Sequence, residues 1–182
     1  MIRVLFFSLL LFESLFGYSY DDLLLRAQSA IYPKIVVLDK KVSSKLVDDK
    51  ILFTVVYCKE DHESALFVKQ YIQNKYKDGV GKYPISVDLV EFSQLSKETG
   101  ASALYVLYGS KNDIKKAAEI ARQKRVISFS YNLENLKYGL LFAAVIEKTT
   151  TLYLNKEYKN IKSIELADFL LQSVKFIDKS AF

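Results

Sequence analysis

The chain has 182 residues and a mass of 20.9 kDa, with 51% hydrophobic, 26% charged and 14% aromatic residues, six Gly, two Pro and one Cys. This composition is that of a globular protein and excludes the disordered, collagenous and disulfide-rich classes; one domain is expected, with a core that needs neither metal nor disulfide. The formal charge is +5, but only Arg3, Arg26, Arg122 and Arg125 among the 26 basic residues are arginine, and the basic residues are spread along the chain, which argues against a nucleic-acid partner.

The first segment has the layout of a secretory signal peptide. Met1 to Arg3 is a short positive region, Val4 to Phe12 (VLFFSLLLF) an apolar run, and a more polar stretch follows, ending in Gly17-Tyr18-Ser19. The apolar run is shorter than the ~18–20 residues that span a bilayer. Residues 1–19 are therefore expected to be a cleaved leader, and residues 20–182 a single exported domain in the periplasm without a membrane span.

After Asp21, the spacing of Leu24, Leu25, Ala27 and Ile31 predicts a short amphipathic helix that stops at Pro33. Ile51 to Tyr57 (ILFTVVY) is apolar on both faces and predicts a strand in the middle of a covered sheet. Asp61 is placed to cap a helix from His62 to about Lys77, ended by Gly79 and Gly81. Pro84 to Phe92 and Ala101 to Tyr108 read as the second and third strands. Ser110 and Asp113 form a capping-box pattern for a helix with an Ile114, Ala117, Ala118 and Ala121 stripe. Val126 to Ser130, Leu140 to Ile146 and Thr150 to Leu154 give three more strands, the last two an antiparallel hairpin. Ser163 is expected to cap a final helix reaching about Ile177. This order predicts one three-layer α/β domain, with a mostly parallel central sheet, an antiparallel C-terminal hairpin and helices on both faces.

Chemical motifs are sparse. There is no Gly-rich phosphate loop, nucleophile elbow or zinc-protease motif. Cys58, Glu60, Asp61 and His62 form the only cluster with metal or nucleophile residue types, but Cys58 and His62 supply too few ligands, and Asp61 and Glu63 suit a helix N-terminus. No cofactor, no metal and no catalytic residue is assigned, and the protein is not expected to be an enzyme; a hydrolase using Cys58 or Asp61 ranks last. In open α/β sheets ligands bind at the carboxyl ends of the strands, here Tyr57 to His62, Gly109 to Lys111 and Ser130 to Asn132.

The stretch Val126 to Asn155 (VISFSYNLENLKYGLLFAAVIEKTTTLYLN), followed by Leu170-Leu171, resembles the YfiR/HmsC-like family of small exported bacterial proteins. In that family a strand ending in Ser leads through a helical turn to a Gly, then to a hairpin ending in Asn, then to a helix with a Leu-Leu pair. Ser128 or Ser130, Gly139, Asn155 and Leu170-Leu171 take those places, and the resemblance covers about residues 34 to 177. The chain departs from the family in having Gly139 alone rather than a Gly-Gly pair, Tyr32-Pro33 rather than Trp-Pro, and a single Cys. The resemblance implies a non-enzymatic regulator that binds and restrains the periplasmic part of an inner-membrane signalling receptor, a diguanylate cyclase or sensor kinase. Ser110, Ser130, Tyr131, Asn132 and Tyr138 are the expected partner- or ligand-binding residues; Tyr131, Tyr138 and Leu24 are expected to be exposed. The alternative is a single-lobe periplasmic solute-binding protein with a small-molecule ligand.

Overall fold

The computed structural model describes residues 19–182, apart from the side chains of Tyr158, Lys159 and Lys179. Ile51–Tyr57 (β1) forms where its apolar run predicts, and every residue in it except Leu52 is buried. Ile85–Glu91 (β2) lies on one side of it and Ala103–Val106 (β3) on the other, both parallel to it. Ile127–Ser130 (β4) and Phe142–Ile146 (β5) continue the parallel run, and Thr150–Asn155 (β6) returns antiparallel to β5. A short strand, Lys175–Ile177 (β7), pairs parallel with β6, so the order is β2-β1-β3-β4-β5-β6-β7. The fold is the expected single α/β domain with an antiparallel pair toward one edge.

Side-chain alternation on the strands separates two apolar layers. Phe53, Val55, Tyr105, Phe129 and Phe142 point to one face, where Asp22–Val36 (α1) and His62–Lys75 (α2) cover them. Val56, Leu104, Val106 and Ala143 point to the other face, covered by Lys111–Lys124 (α3) through Ile114, Ala117, Ala118 and Ala121. The Ser110/Asp113 capping box starts α3 as predicted. Because α2 links β1 to β2 on one face and α3 links β3 to β4 on the opposite face, the chain leaves the adjacent strands β1 and β3 in opposite directions. A crevice belongs at their carboxyl ends, at this switch of direction.

Two expectations are corrected. The first helix does not stop at Pro33 but runs through it to Val36. A helix-interior proline costs about 3 kcal/mol. Burial offsets this, since Ile35 and Val36 are each 2% exposed and full burial of such a side chain contributes about 1.5–3 kcal/mol. Tyr32, 0% exposed, also stacks on Phe129 at 4.3 Å between ring centroids.

The second correction concerns the C-terminus. Instead of one helix from Ser163 to Ile177, there is a short helix, Asp168–Ser173 (α4), with Ala167 at its N-cap, followed by β7. Residues 165–167 are held extended against the chain after α1: Lys40 N–H donates to Glu165 O at 2.8 Å, Glu165 N–H to Asp39 Oδ1 at 2.9 Å, and Ala167 N–H to Leu38 O at 2.9 Å. The open edge of β6 then takes Lys175–Ile177 as a strand. Leu166, Leu170 and Val174 are still buried, so an apolar pattern with helical spacing is satisfied here by a non-helical path.

The expected leader, residues 1–19, falls outside the described residues except for Ser19. No helix among the described residues is long and apolar enough to cross a membrane.

Candidate functional site

The crevice between the carboxyl ends of β1, β3 and β4 is filled by the side chain of Tyr20. Its ring meets Tyr108 beyond β3 at 5.1 Å and Tyr131 beyond β4 at 4.8 Å, and those two rings lie 4.9 Å apart, all steeply inclined to one another. Such tilted contacts set ring edges against ring faces, the favourable arrangement for aromatic quadrupoles. The Tyr20 hydroxyl donates to Asp61 Oδ2 at 2.9 Å and accepts from Tyr108 N–H at 3.0 Å. Burial pushes the Tyr20 phenol well above its ordinary range, and the Asp61 carboxylate adds to this against the opposing Tyr108 N–H. The hydroxyl therefore stays neutral and keeps its proton to donate.

The start of α1 delivers Tyr20 to this position. Tyr20 immediately precedes the N-cap Asp21, whose carboxylate accepts from Leu24 N–H at 2.8 Å and whose own N–H donates to the Tyr131 hydroxyl at 2.8 Å. Further along α1, buried Gln28 donates to Tyr131 O at 2.9 Å and Ala144 O at 2.7 Å, and its Oε1 accepts from the Tyr105 hydroxyl. The Tyr32 hydroxyl donates to Ser130 O and accepts from Ala144 N–H, both at 2.8 Å. Since β4 and β5 pair over only Phe129↔Phe142 and Ser130↔Ala143, these side chains supply the hydrogen bonds that the parting strands no longer exchange.

Asp61 is the N-cap residue of α2 as expected, but its side chain makes no capping bond; it is 3% exposed and turned to Tyr20. His62 Nδ1 lies 3.2 Å from the Tyr57 hydroxyl, and Cys58 Sγ lies 3.5 Å from Tyr108 O. Among the described residues, no group of three or more His, Cys, Asp or Glu is arranged to hold a metal ion. Burial, and then the charges of Asp61, Asp113 and Glu60, push the Cys58 thiol up to about 11. At pH 8 its alkylation by iodoacetamide, followed by mass spectrometry, is expected to run roughly a hundredfold slower than that of an unperturbed thiol, because the thiolate is the reactive form. A rate equal to that of a free thiol would contradict this placement.

The five expected binding residues do not form one site. Ser110 is committed to its capping box with Asp113. Ser130 is fully buried and its hydroxyl donates to Asn132 O, while Asn132 Oδ1 accepts from Glu134 N–H and starts a 3-10 turn, Leu133–Tyr138. Tyr131 is only 4% exposed, so it is a wall of the crevice rather than an exposed aromatic. Leu24 is half-buried against the core, and its neighbour Leu23 is the exposed one, at 64%. Tyr138, half-buried, lies away from the crevice in a groove of about 590 Å³ between α3 and residues 157–161. That groove carries Lys115 and Arg122 but also Glu119 and Glu157, and Arg122 is paired with Glu119, so it offers no concentrated charge.

Ser128, Gly139 and Asn155 do come together, in a structural role. Ser128 Oγ accepts from Leu141 N–H at 3.1 Å, Asn155 Nδ2 donates to Leu136 O at 2.8 Å and Leu140 O at 3.2 Å, and Gly139 turns the chain with φ +104°. They join the 3-10 turn to β5. Sequence reading did not assign Tyr20, Tyr108, Gln28 or Tyr32 to a site. The available signal was a tyrosine just beyond each of two strand ends, Tyr108 and Tyr131, plus one directly before an Asp N-cap.

The chain matches no family model and no curated protein. Its fold is similar to that of a conserved domain protein from Vibrio cholerae O1 biovar eltor, with TM-score 0.58 and 12% identity, covering 84% of this chain and 59% of that one. It is also similar to the ABC domain from Streptococcus pneumonia in complex with L-Trp, with TM-score 0.50 and 10% identity, covering 79% of this chain and 62% of that one. The chain thus spans less than two thirds of either structure, and at these identities the likeness concerns the fold.

Proposed function

We propose that this chain is an exported, non-catalytic binding domain of one lobe, which holds a small molecule in the crevice at the carboxyl ends of β1, β3 and β4. One observation carries the reading: an aromatic side chain from outside the sheet already sits there as a ligand would, with ring contacts on its flanks and hydrogen bonds at its polar tip. The L-Trp bound to the ABC domain of similar fold supports it. The positive region and apolar run of residues 1–12 support export to the periplasm. A thermal-shift screen of amino acids and small aromatic metabolites tests it, since a ligand at 100 times its Kd stabilises by about 2.7 kcal/mol. At least one compound is expected to raise Tm, with a smaller rise in Asp61→Asn. A screen in which nothing moves Tm removes the reading.

A second reading is that the domain binds and restrains the periplasmic part of an inner-membrane diguanylate cyclase or sensor kinase, as members of the YfiR/HmsC-like family would. Exposed Leu23 on the first turn of α1, three residues along the chain from Tyr20, favours it by offering a bare apolar side chain to a partner. A restraining effect requires preference for the receptor's inactive conformation. Crosslinked pull-down from the host is expected to recover such a receptor with the native chain and less of it with Leu23→Ser.

A further inference from the structure

The Tyr20 side chain specifies what its seat would accept from solution. The seat offers one buried carboxylate, Asp61, as acceptor and one backbone N–H, that of Tyr108, as donor, both converging on a single oxygen. A phenol hydroxyl answers both at once, since it donates one hydrogen bond and accepts another. An indole N–H can only donate, and a bare phenyl ring does neither. Beside these groups the Tyr108 and Tyr131 rings, themselves 4.9 Å apart, form a two-sided aromatic corner against which a single ring packs.

We propose that this crevice is a binding site for small para-substituted phenols, and that the chain's own Tyr20 occupies it until such a phenol displaces it. The inference rests on the reading of the crevice as the ligand site and names the ligand's class. Displacement does not require α1 to unfold. Tyr20 lies outside the helix, before its N-cap, and the anchors of α1 at Asp21, Gln28 and Tyr32 are made by other side chains. The tethered ring competes at an effective concentration on the order of millimolar. A natural ligand prevails through contacts made beyond the para carbon, where Tyr20 carries only its backbone.

The test is calorimetric titration of 4-methylphenol, indole and toluene into the mature chain and into Tyr20→Ala. The variant is expected to bind 4-methylphenol roughly tenfold or more tightly than toluene, with indole between, because a site built to hydrogen-bond a hydroxyl discriminates against analogues that lack it. It is also expected to bind 4-methylphenol roughly tenfold or more tightly than the unmodified chain does, because the tethered competitor is gone. Equal binding of toluene shows an unselective apolar hole, and equal binding by both chains places the phenol elsewhere; either result overturns the inference, as does a folded variant that binds none of the three. If Tyr20→Ala does not fold, Tyr20→Phe replaces it. Its ring keeps the packing but loses both hydrogen bonds, so 4-methylphenol must bind it more tightly than it binds the unmodified chain, and failure to do so overturns the inference. The outcomes separate from those of the broader reading. A non-phenolic metabolite that raises Tm while Tyr20→Ala ignores 4-methylphenol leaves that reading standing without this one. A screen in which no compound, phenols included, moves the Tm of the unmodified chain overturns both, because Tyr20 is then never displaced.

Discussion

Gln28→Leu is expected to destabilise the protein by about 3–5 kcal/mol, although it swaps one side chain for another of similar size. Gln28 is fully buried and ties three groups together: the carbonyls of Tyr131 and Ala144, and the hydroxyl of Tyr105. Leucine fills the space but leaves two buried acceptors and a buried donor without those bonds, and each such loss costs about 1–3 kcal/mol. The apolar gain from a leucine at this position is smaller than the sum of these penalties. Urea unfolding should show a lower midpoint with an unchanged slope. Adding Tyr105→Phe to Gln28→Leu should recover part of the loss, because it removes one of the stranded groups; a coupling of about 0.5–3 kcal/mol is the range for groups in direct contact. A loss under about 1 kcal/mol for the single variant would show that water replaces the amide and that the parting of β4 and β5 is solvated.

The second large effect is expected at Asp39. Asp39 and Lys45 form an ion pair with side-chain exposures of 2% and 8%, and Asp39 Oδ1 also accepts from Lys41 N–H at 3.1 Å and Glu165 N–H at 2.9 Å. Asp39→Ala strands the Lys45 ammonium in a site built for its partner, and breaking a buried pair costs about 3–5 kcal/mol. Asp39→Asn should cost less, because the amide oxygen still serves the two N–H groups. The double variant Asp39→Leu with Lys45→Met should be milder than Asp39→Ala, since no charge remains buried. The nearby pair Lys40–Glu165, at 3.4 Å and about half exposed, sets the contrast: surface pairs contribute about 0–1 kcal/mol, so Lys40→Ala should be nearly silent. Chemical denaturation measures the series. Because Asp39 holds residues 165–167 extended, limited proteolysis should cut Asp39→Ala there before it cuts the native chain. Equal cutting of both would disconnect Asp39 from the C-terminal segment.

These two residues also mark where sequence reading stopped. The strands β1 to β6 and the helices α1 to α3 were legible because each is specified by its own residues: ILFTVVY is apolar on both sides, Ser110 and Asp113 cap each other, and the α3 stripe repeats at helical spacing. The position of the candidate site was legible only as a rule about strand ends, which points to the carboxyl ends of the interior strands β1, β3 and β4. Which residues fill it was not legible. Ser110, Ser130 and Asn132 sit at those ends but spend their side chains on local turns and caps, while Tyr20, Asp61 and Tyr108 are separated by 41 to 88 positions and meet only after folding.

The remaining differences have the same origin. Pro33 and the stretch from Ser163 to Ile177 carry local signals, one for stopping a helix and one for making one, and in both cases non-local packing opposed them and prevailed. A few kcal/mol of burial and backbone pairing against Leu38, Asp39 and β6 exceed the fraction of a kcal/mol per residue by which helix propensities differ. By itself the amino-acid order determined the α/β class, the parallel centre and the antiparallel pair, because periodicity and capping are properties of neighbours along the chain. Only the tertiary structure decided that a tyrosine ahead of the first helix lies among three strand ends, because no local pattern encodes a meeting of residues so far apart.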